Sequence, residues 1–206
     1  TAEARIGGDL YEVVTTPSGV RLIVGDVQGK GLAAVETAAW VLGAFREAAY
    51  DEPDLTGVGE RLETSLSRHL EGERFVTAIL AHVHEEELCL LNFGHPPPLV
   101  MHHDGQVFFA EPESEAPPLG LASLFPVTPK PYLIPFREGD QILLYTDGVI
   151  EARDHGGAFY PLIDRVGLLT GEDPQAALDA LRADLLNHVG GPMPDDAAML
   201  LLRRHS

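Results

Sequence analysis

The chain has 206 residues, 45 % of them hydrophobic and 22 % charged, with a formal net charge of −18 spread along its length. That usage is ordinary for a globular domain with a sizeable core, and its acidity excludes the clustered Lys and Arg that nucleic acid or an anionic membrane surface would need. No apolar run reaches the ~20 residues of a membrane span, and the single Cys89 allows no internal disulfide, which suits a reducing cytoplasm.

The chain opens at Thr1 without a methionine, so residues 1–206 are read as a single domain excised from a longer, multidomain protein. Tyr11–Thr15 and Val20–Val24 read as strands joined by the turn Thr16-Pro17-Ser18-Gly19. A helix follows, with Leu32, Val35, Ala39, Leu42, Phe45 and Ala49 spaced three or four apart. Asp51, Pro53 and Asp54 break it, and a second helix carries Leu55, Val58, Leu62, Leu66 and Leu70 on one face. The period then changes to that of strands. Phe75–Val83 and Leu88–Phe93 form a hairpin around Glu85–Glu87, and Leu99–Met101 and Gln106–Ala110 flank the turn dipeptide Asp104-Gly105. Residues 111–131 are Pro-rich loop. Gln141–Thr146 is an apolar strand, Asp173-Pro174 caps and opens a third helix with Ala177, Leu178, Leu181 and Leu185 inward, and Ala197–Leu202 is a last strand. Runs of strands separated by packets of helices predict an α+β fold. Strands apolar on both faces predict two antiparallel sheets face to face with helices outside, a four-layer αββα sandwich.

Four chain breaks share one pattern. Gly7-Gly8-Asp9 precedes the first strand, and "VGDVQGKGLAA" (Val24 to Ala34) puts Asp26 at the end of the second. "LLYTDGV" puts Asp147 after the strand at 141–146, and "MPDDAAMLLL" puts Asp195 and Asp196 before the last one. Singly, each acid reads as a turn residue. Together, carboxylates gathered at strand ends would repel one another unless cations neutralise them, and all-oxygen ligands suit hard ions such as Mg²⁺ or Mn²⁺. The stretch is no phosphate-cradling P-loop: Gly25 is followed by Gly29 and Lys30-Gly31, one residue short and without the Ser or Thr. The dinucleotide fingerprint G-x-G-x-x-G is absent there as well.

The motifs "IGGDLYEV", "VGDVQGKGLAA", "FVTAIL", "NFGHPPPLV", "PPLGL", "LLYTDGVIEAR" and "PDDAAMLLL" occur in this order. Taken together they resemble the bacterial SpoIIE/RsbU-type branch of the PPM (type 2C) metal-dependent serine/threonine phosphatases, from about Ile6 to Leu202. The resemblance implies a β-sandwich with outer helices and two Mn²⁺ or Mg²⁺ ions. It implies Asp26 as the ligand bridging both ions, helped by the Val27 carbonyl, Asp147 and Asp195 on one ion, and Asp9 on the other directly or through water. Asp196 takes the place of Asp195 if the register slips by one. Asp9 and Asp26 then serve the catalytic step, in which a two-metal-activated water hydrolyses phosphoserine or phosphothreonine.

The resemblance further implies a phosphorylated regulatory protein of the anti-anti-sigma (STAS) type as substrate, sensor domains in the parent chain, and a cytoplasmic setting; it leaves room for a homodimer. Where relatives carry a histidine two residues after the bridging acid, this chain has Gln28, and Arg5 stands near the place of a phosphate-gripping arginine without matching its spacing to Asp9. His95 reads as a corner-packing residue, and His82, His84, His102 and His103 as surface residues. Trp40 reads as a packing or partner-contact residue. Phe159 and Tyr160 read as exposed aromatics that select the phosphoprotein, with a buried Phe159 packing that segment as the alternative. A catalytically weak regulatory binding module on the same fold is the alternative function.

Overall fold

The computed structural model describes residues 8–69, 74–125, 127–193 and 196–205. In chain order the elements are β1 (Asp9–Thr16), β2 (Gly19–Val27), α1 (Leu32–Asp51), α2 (Leu55–His69), β3 (Val76–His84), β4 (Glu87–Phe93), β5 (Leu99–Met101), β6 (Val107–Phe109), β7 (Tyr132–Pro135), β8 (Gln141–Tyr145), α3 (Asp147–Ile150), α4 (Pro174–Val189) and β9 (Met199–Arg203). Short 3₁₀ segments lie at Ala122–Leu124 and Leu162–Leu169. The chain divides into two compact units, residues 1–95 with 112–136 and residues 96–111 with 137–206. Among the described residues no helix is long and apolar enough to cross a membrane.

The first unit is an antiparallel sheet in the order β1-β2-β3-β4-β7, with α1 and α2 packed on it. β7 has no counterpart among the predicted strands. It is four residues long, lies at the sheet edge and ends in Pro135, where a missing N–H does no harm. The α2 stripe Leu55, Val58, Leu62 and Leu66 is buried as expected, and Leu70 lies outside the described residues. On α1 the buried face is Ala34, Ala38, Val41, Phe45, Ala48 and Ala49, rotated from the predicted stripe; Leu32 is 70 % exposed. This helix is apolar around much of its girth, so three-to-four spacing fits two neighbouring stripes. The winning stripe is the one whose alanines let the helix lie close to the sheet.

Arg21 on β2 is fully buried, and its guanidinium donates to the carbonyls of Ala49 at 2.9 Å, Glu52 at 2.7 Å and Pro53 at 2.8 Å. These are carbonyls at and beyond the end of α1, which no helical N–H can reach, and the cation complements the negative end of the helix.

The second unit is an antiparallel sheet in the order β6-β5-β8-β9. α4 and the 162–169 segment, which the sequence reading left unassigned, close its core around Leu143, Leu162, Leu169, Leu181 and Leu185. Asp173 caps α4 by accepting from the Gln175 N–H at 3.0 Å, as Asp-Pro predicts.

His102 does not conform to the surface reading, whereas His103 is exposed as expected. Their Nδ1 atoms each lie 3.0 Å from one oxygen of Asp140, a carboxylate that is 1 % exposed. The backbone N–H groups of His103 (2.8 Å) and Arg137 (2.7 Å) donate to it as well. Burial alone would push the Asp140 carboxyl up, but these donors outweigh it and hold it at about 2. His82 is likewise half-buried, with Nε2 2.9 Å from the Ser18 carbonyl. The α+β class with two antiparallel sheets flanked by helices is as expected.

Candidate metal centre

In the first unit, the register of β1 on β2 sets Asp9 directly opposite Asp26, and β3 places Thr77 on the other side of Asp26. Both acids are partly buried at the strand ends. The Val27 N–H donates to the Gly8 carbonyl at 3.1 Å and the Gln28 N–H to the Phe75 carbonyl at 3.0 Å, so the backbone around Asp26 is held on both sides. Gly8 leaves a gap. A Cβ at that position would stand 2.5 Å from the Val27 carbonyl oxygen and 3.1 Å from Asp26 Oδ1. A side chain there would press on two hard oxygen donors that stand beside a second carboxylate. This donor set fits Mg²⁺ or Mn²⁺, which take oxygen ligands together with water.

In the second unit, Thr146 joins the end of β8 to the approach to β9. Its N–H donates to the Ala198 carbonyl at 3.1 Å, and its Oγ1 accepts from the Ala198 N–H at 2.9 Å. Asp147 follows and is exposed at the start of α3. Next to it, Gly148 lies against the Asp196 backbone carbonyl so closely that any Cβ would collide with it. Asp196 therefore comes up to residue 148 only because that residue has no side chain. Asp195, the expected ligand, lies outside the described residues, as do Gly7 and Arg5. Among the described residues no group of three or more His, Cys, Asp or Glu is placed to hold a metal ion. Asp9 and Asp26 belong to one unit and Asp147 to the other.

The family model described as Stage II sporulation protein E (SpoIIE) matches residues 16–205. The chain belongs to the SpoIIE family. Among solved structures, the RsbU and RsbW domains of Rv1364c from Mycobacterium tuberculosis align with a TM-score of 0.83 and 25 % identity, over 100 % of this chain and 59 % of that one. The PP2C phosphatase domain of SpoIIE from Bacillus subtilis, solved with a fragment of its regulatory domain, aligns with a TM-score of 0.79 and 18 % identity, over 96 % and 58 %. The catalytic domain of the serine/threonine phosphatase PstP, in complex with two manganese ions, aligns with a TM-score of 0.69 and 17 % identity, over 98 % and 92 %. This SpoIIE-family chain spans less than two thirds of the length of the first two.

Other residues singled out in the SpoIIE-family sequence divide clearly. His95 is buried as a corner residue: its N–H donates to Asn92 Oδ1 at 2.8 Å, Asn92 Nδ2 returns a bond to its carbonyl at 2.9 Å, and its Nδ1 lies 3.2 Å from Thr77 Oγ1. Gln28 is exposed, and Trp40 packs partly against the core of the first unit. Tyr160 departs from its reading as an exposed aromatic. It is 3 % exposed, and its hydroxyl donates to Asp184 Oδ2 on α4 at 2.8 Å. Phe159 is exposed as expected, at 52 %. A groove of about 530 Å³ in the first unit, lined by Thr56, Glu60, Phe93 and Phe125 among others, contains none of the candidate acids.

Proposed function

We propose that this chain is a metal-dependent protein phosphatase that hydrolyses phosphoserine or phosphothreonine on a regulatory protein, with an anti-anti-sigma (STAS) protein as the substrate class. The observation that carries the reading is the pairing of Asp9 with Asp26 beside a Val27 carbonyl left open by Gly8. PstP, bound to two manganese ions, and the RsbU domain of Rv1364c support it through their likeness of fold.

In this reading Asp9, Asp26 and the Val27 carbonyl from the first unit, and Asp147 and Asp195 from the second, hold two Mg²⁺ or Mn²⁺ ions. When bound, such ions activate a water and neutralise charge on the phosphoryl oxygens. The chain's own part is placement. The β1–β2 ladder sets two carboxylates at a fixed separation, and Gly8 keeps the approach to them clear. Gly148 brings the 196 loop to Asp147. The Gln28 amide has no proton to give near neutral pH, so this side chain is not the acid for the serine leaving group. A cytoplasmic site of action and sensor domains elsewhere in the parent protein complete the proposal.

The test is phosphate release from an aryl phosphate with Mn²⁺ and with EDTA. Release with Mn²⁺ that stops in EDTA and in Asp26→Ala is expected. Release that persists in either would remove the two-metal reading.

A further inference from the structure

The segment 151–160 follows α3 and folds back on itself, pairing Arg153 with Phe159. It is held from several directions. The Asp154 N–H donates to the Ala158 carbonyl at 3.0 Å, and the Tyr160 N–H to the Ala152 carbonyl at 2.9 Å. His188 Nε2 on α4 lies 3.0 Å from the Ala158 carbonyl, and the Tyr160 hydroxyl reaches Asp184. The Asp154 carboxylate accepts from the N–H groups of Gly156 and Ala158, both at 2.8 Å.

What this scaffold displays is one cation on one aromatic ring. The Arg153 guanidinium lies 3.8 Å above the centre of the exposed Phe159 ring and donates through Nη1 to the Gly157 carbonyl at 3.0 Å. Among the described residues it makes no salt bridge with a carboxylate, and Oδ1 of its neighbour Asp154 accepts from backbone donors instead. Other arginines of the same unit are engaged differently. Arg165 pairs with Asp184 at 3.1 Å, and Arg203 spends its donors on Gln141 and on the carbonyls of Leu169, Gly171 and Glu172. In a chain of net charge −18, a planar cation stacked on an exposed ring and anchored to a backbone carbonyl is a place for an anion. Stacking on the ring holds the fork flat and leaves its outer edge for a bidentate carboxylate, with little ordering cost on binding.

Its distance from the candidate centre is bounded by the backbone. The one-turn α3 advances ~1.5 Å per residue and the next three residues at most ~3.4 Å each, so Arg153 lies within about 15 Å of Asp147. An extended peptide covers that span in about four residues.

Resting on the phosphatase reading above, we infer that Arg153, stacked on Phe159, is a specificity-determining residue that binds an acidic side chain of the phosphoprotein within about four residues of the phosphoserine. The occupant is an acidic segment of the substrate protein, and the phosphate itself would go to the ions that the candidate acids hold.

The test uses the whole chain with Mn²⁺ and three substrates: an aryl phosphate, and two phosphoserine peptides that differ only in carrying Asp and Glu or Ala at the positions flanking the phosphoserine. Peptide Kd is followed by fluorescence anisotropy alongside turnover. Wild type is expected to favour the acidic peptide at least tenfold in kcat/KM. Arg153→Gln keeps a donor for Gly157 and removes the charge; it should cut that preference below threefold and raise the acidic peptide's Kd at least fivefold, with aryl phosphate turnover within twofold of wild type. Arg153→Glu should reverse the preference, and Phe159→Leu should fall between. No preference in wild type, an unchanged preference in Arg153→Gln, or equal losses on the aryl phosphate and both peptides would overturn the inference. Absence of all turnover with the Kd difference intact would sink the phosphatase reading and leave the acidic-segment site standing.

Discussion

Asp9 and Asp26 stand directly opposite each other across the β1–β2 ladder. Like charges so placed oppose sheet formation by roughly 0.2–1 kcal/mol. Asp26→Asn is therefore expected to raise the melting temperature of the metal-free protein slightly while abolishing phosphatase activity and the stabilisation that added Mn²⁺ gives wild type. Thermal melts with and without Mn²⁺ check this. A variant that melts well below metal-free wild type, or that still gains stability from Mn²⁺, would show that Asp26 serves the fold and not an ion.

Gly8 and Gly148 are places where one methyl group should matter. A Cβ on Gly8 would press on the Val27 carbonyl at 2.5 Å, and one on Gly148 would collide with the Asp196 carbonyl. Gly8→Ala and Gly148→Ala should each cost about 1–3 kcal/mol, as overpacking against backbone does. Both should also weaken Mn²⁺ binding by at least tenfold, measured by calorimetry. Loss of stability with unchanged metal affinity would separate these glycines from the centre.

The strand ends that carry the acids were legible in the sequence because a lone Asp beside Gly at the end of an apolar run is a local signal. The hairpins were legible for the same reason, Asp104-Gly105 being the plainest. What escaped was non-local. Arg21 sits in the middle of a strand, and nothing near it in sequence announces that its partners are carbonyls at the far end of α1. His102 looked like a solvent residue because Asp140, which orders it, is 38 residues further along the chain. Tyr160 was misplaced beside Phe159 because adjacent residues of a short bridged segment point to opposite sides, and only the contact with Asp184 says which goes in. The α1 face slipped because a helix rich in alanine offers two stripes of similar hydrophobicity.

Asp140 makes stability depend on acid. Its carboxyl is held at about 2, below its ordinary value of 3.8. A depressed carboxyl contributes stability that is complete above the unfolded value and is lost as pH falls through the folded one. About 2 kcal/mol should therefore disappear between roughly pH 4 and pH 2. Asp140→Asn should lose that increment at neutral pH and flatten the dependence below pH 4, as urea titrations at several pH values would show. An unchanged acid limb in the variant would place the sensitivity elsewhere.

Arg21→Ala leaves three carbonyls at and beyond the end of α1 without their shared donor. The expected cost is at least ~3 kcal/mol. Arg21→Lys should recover little of it, since a single ammonium cannot reproduce the planar fork. Denaturant unfolding distinguishes this from a surface arginine, whose loss would change the midpoint hardly at all.

Tyr160→Ala and Phe159→Ala should part company. Tyr160 is core, so its truncation should cost about 3–5 kcal/mol and reduce turnover of every substrate through the fold. Phe159 is half outside, so its loss should leave the melting temperature within a few degrees of wild type. Parallel melts of the two variants decide it, and equal destabilisation would mean that Phe159 is also part of the packing.

The order in which the two units share the chain has an evolutionary consequence. The polypeptide passes from one unit to the other at residues 95/96, 111/112 and 136/137, so β5 and β6 are spelled out before the strand that completes the first sheet. No single continuous stretch of gene encodes either sheet with its helices. A cut at any one of the three crossings would leave at least one unit split between two fragments. The candidate acids Asp9 and Asp26 of one unit and Asp147 of the other are thus carried on one interleaved stretch of gene that no single cut divides into two whole units.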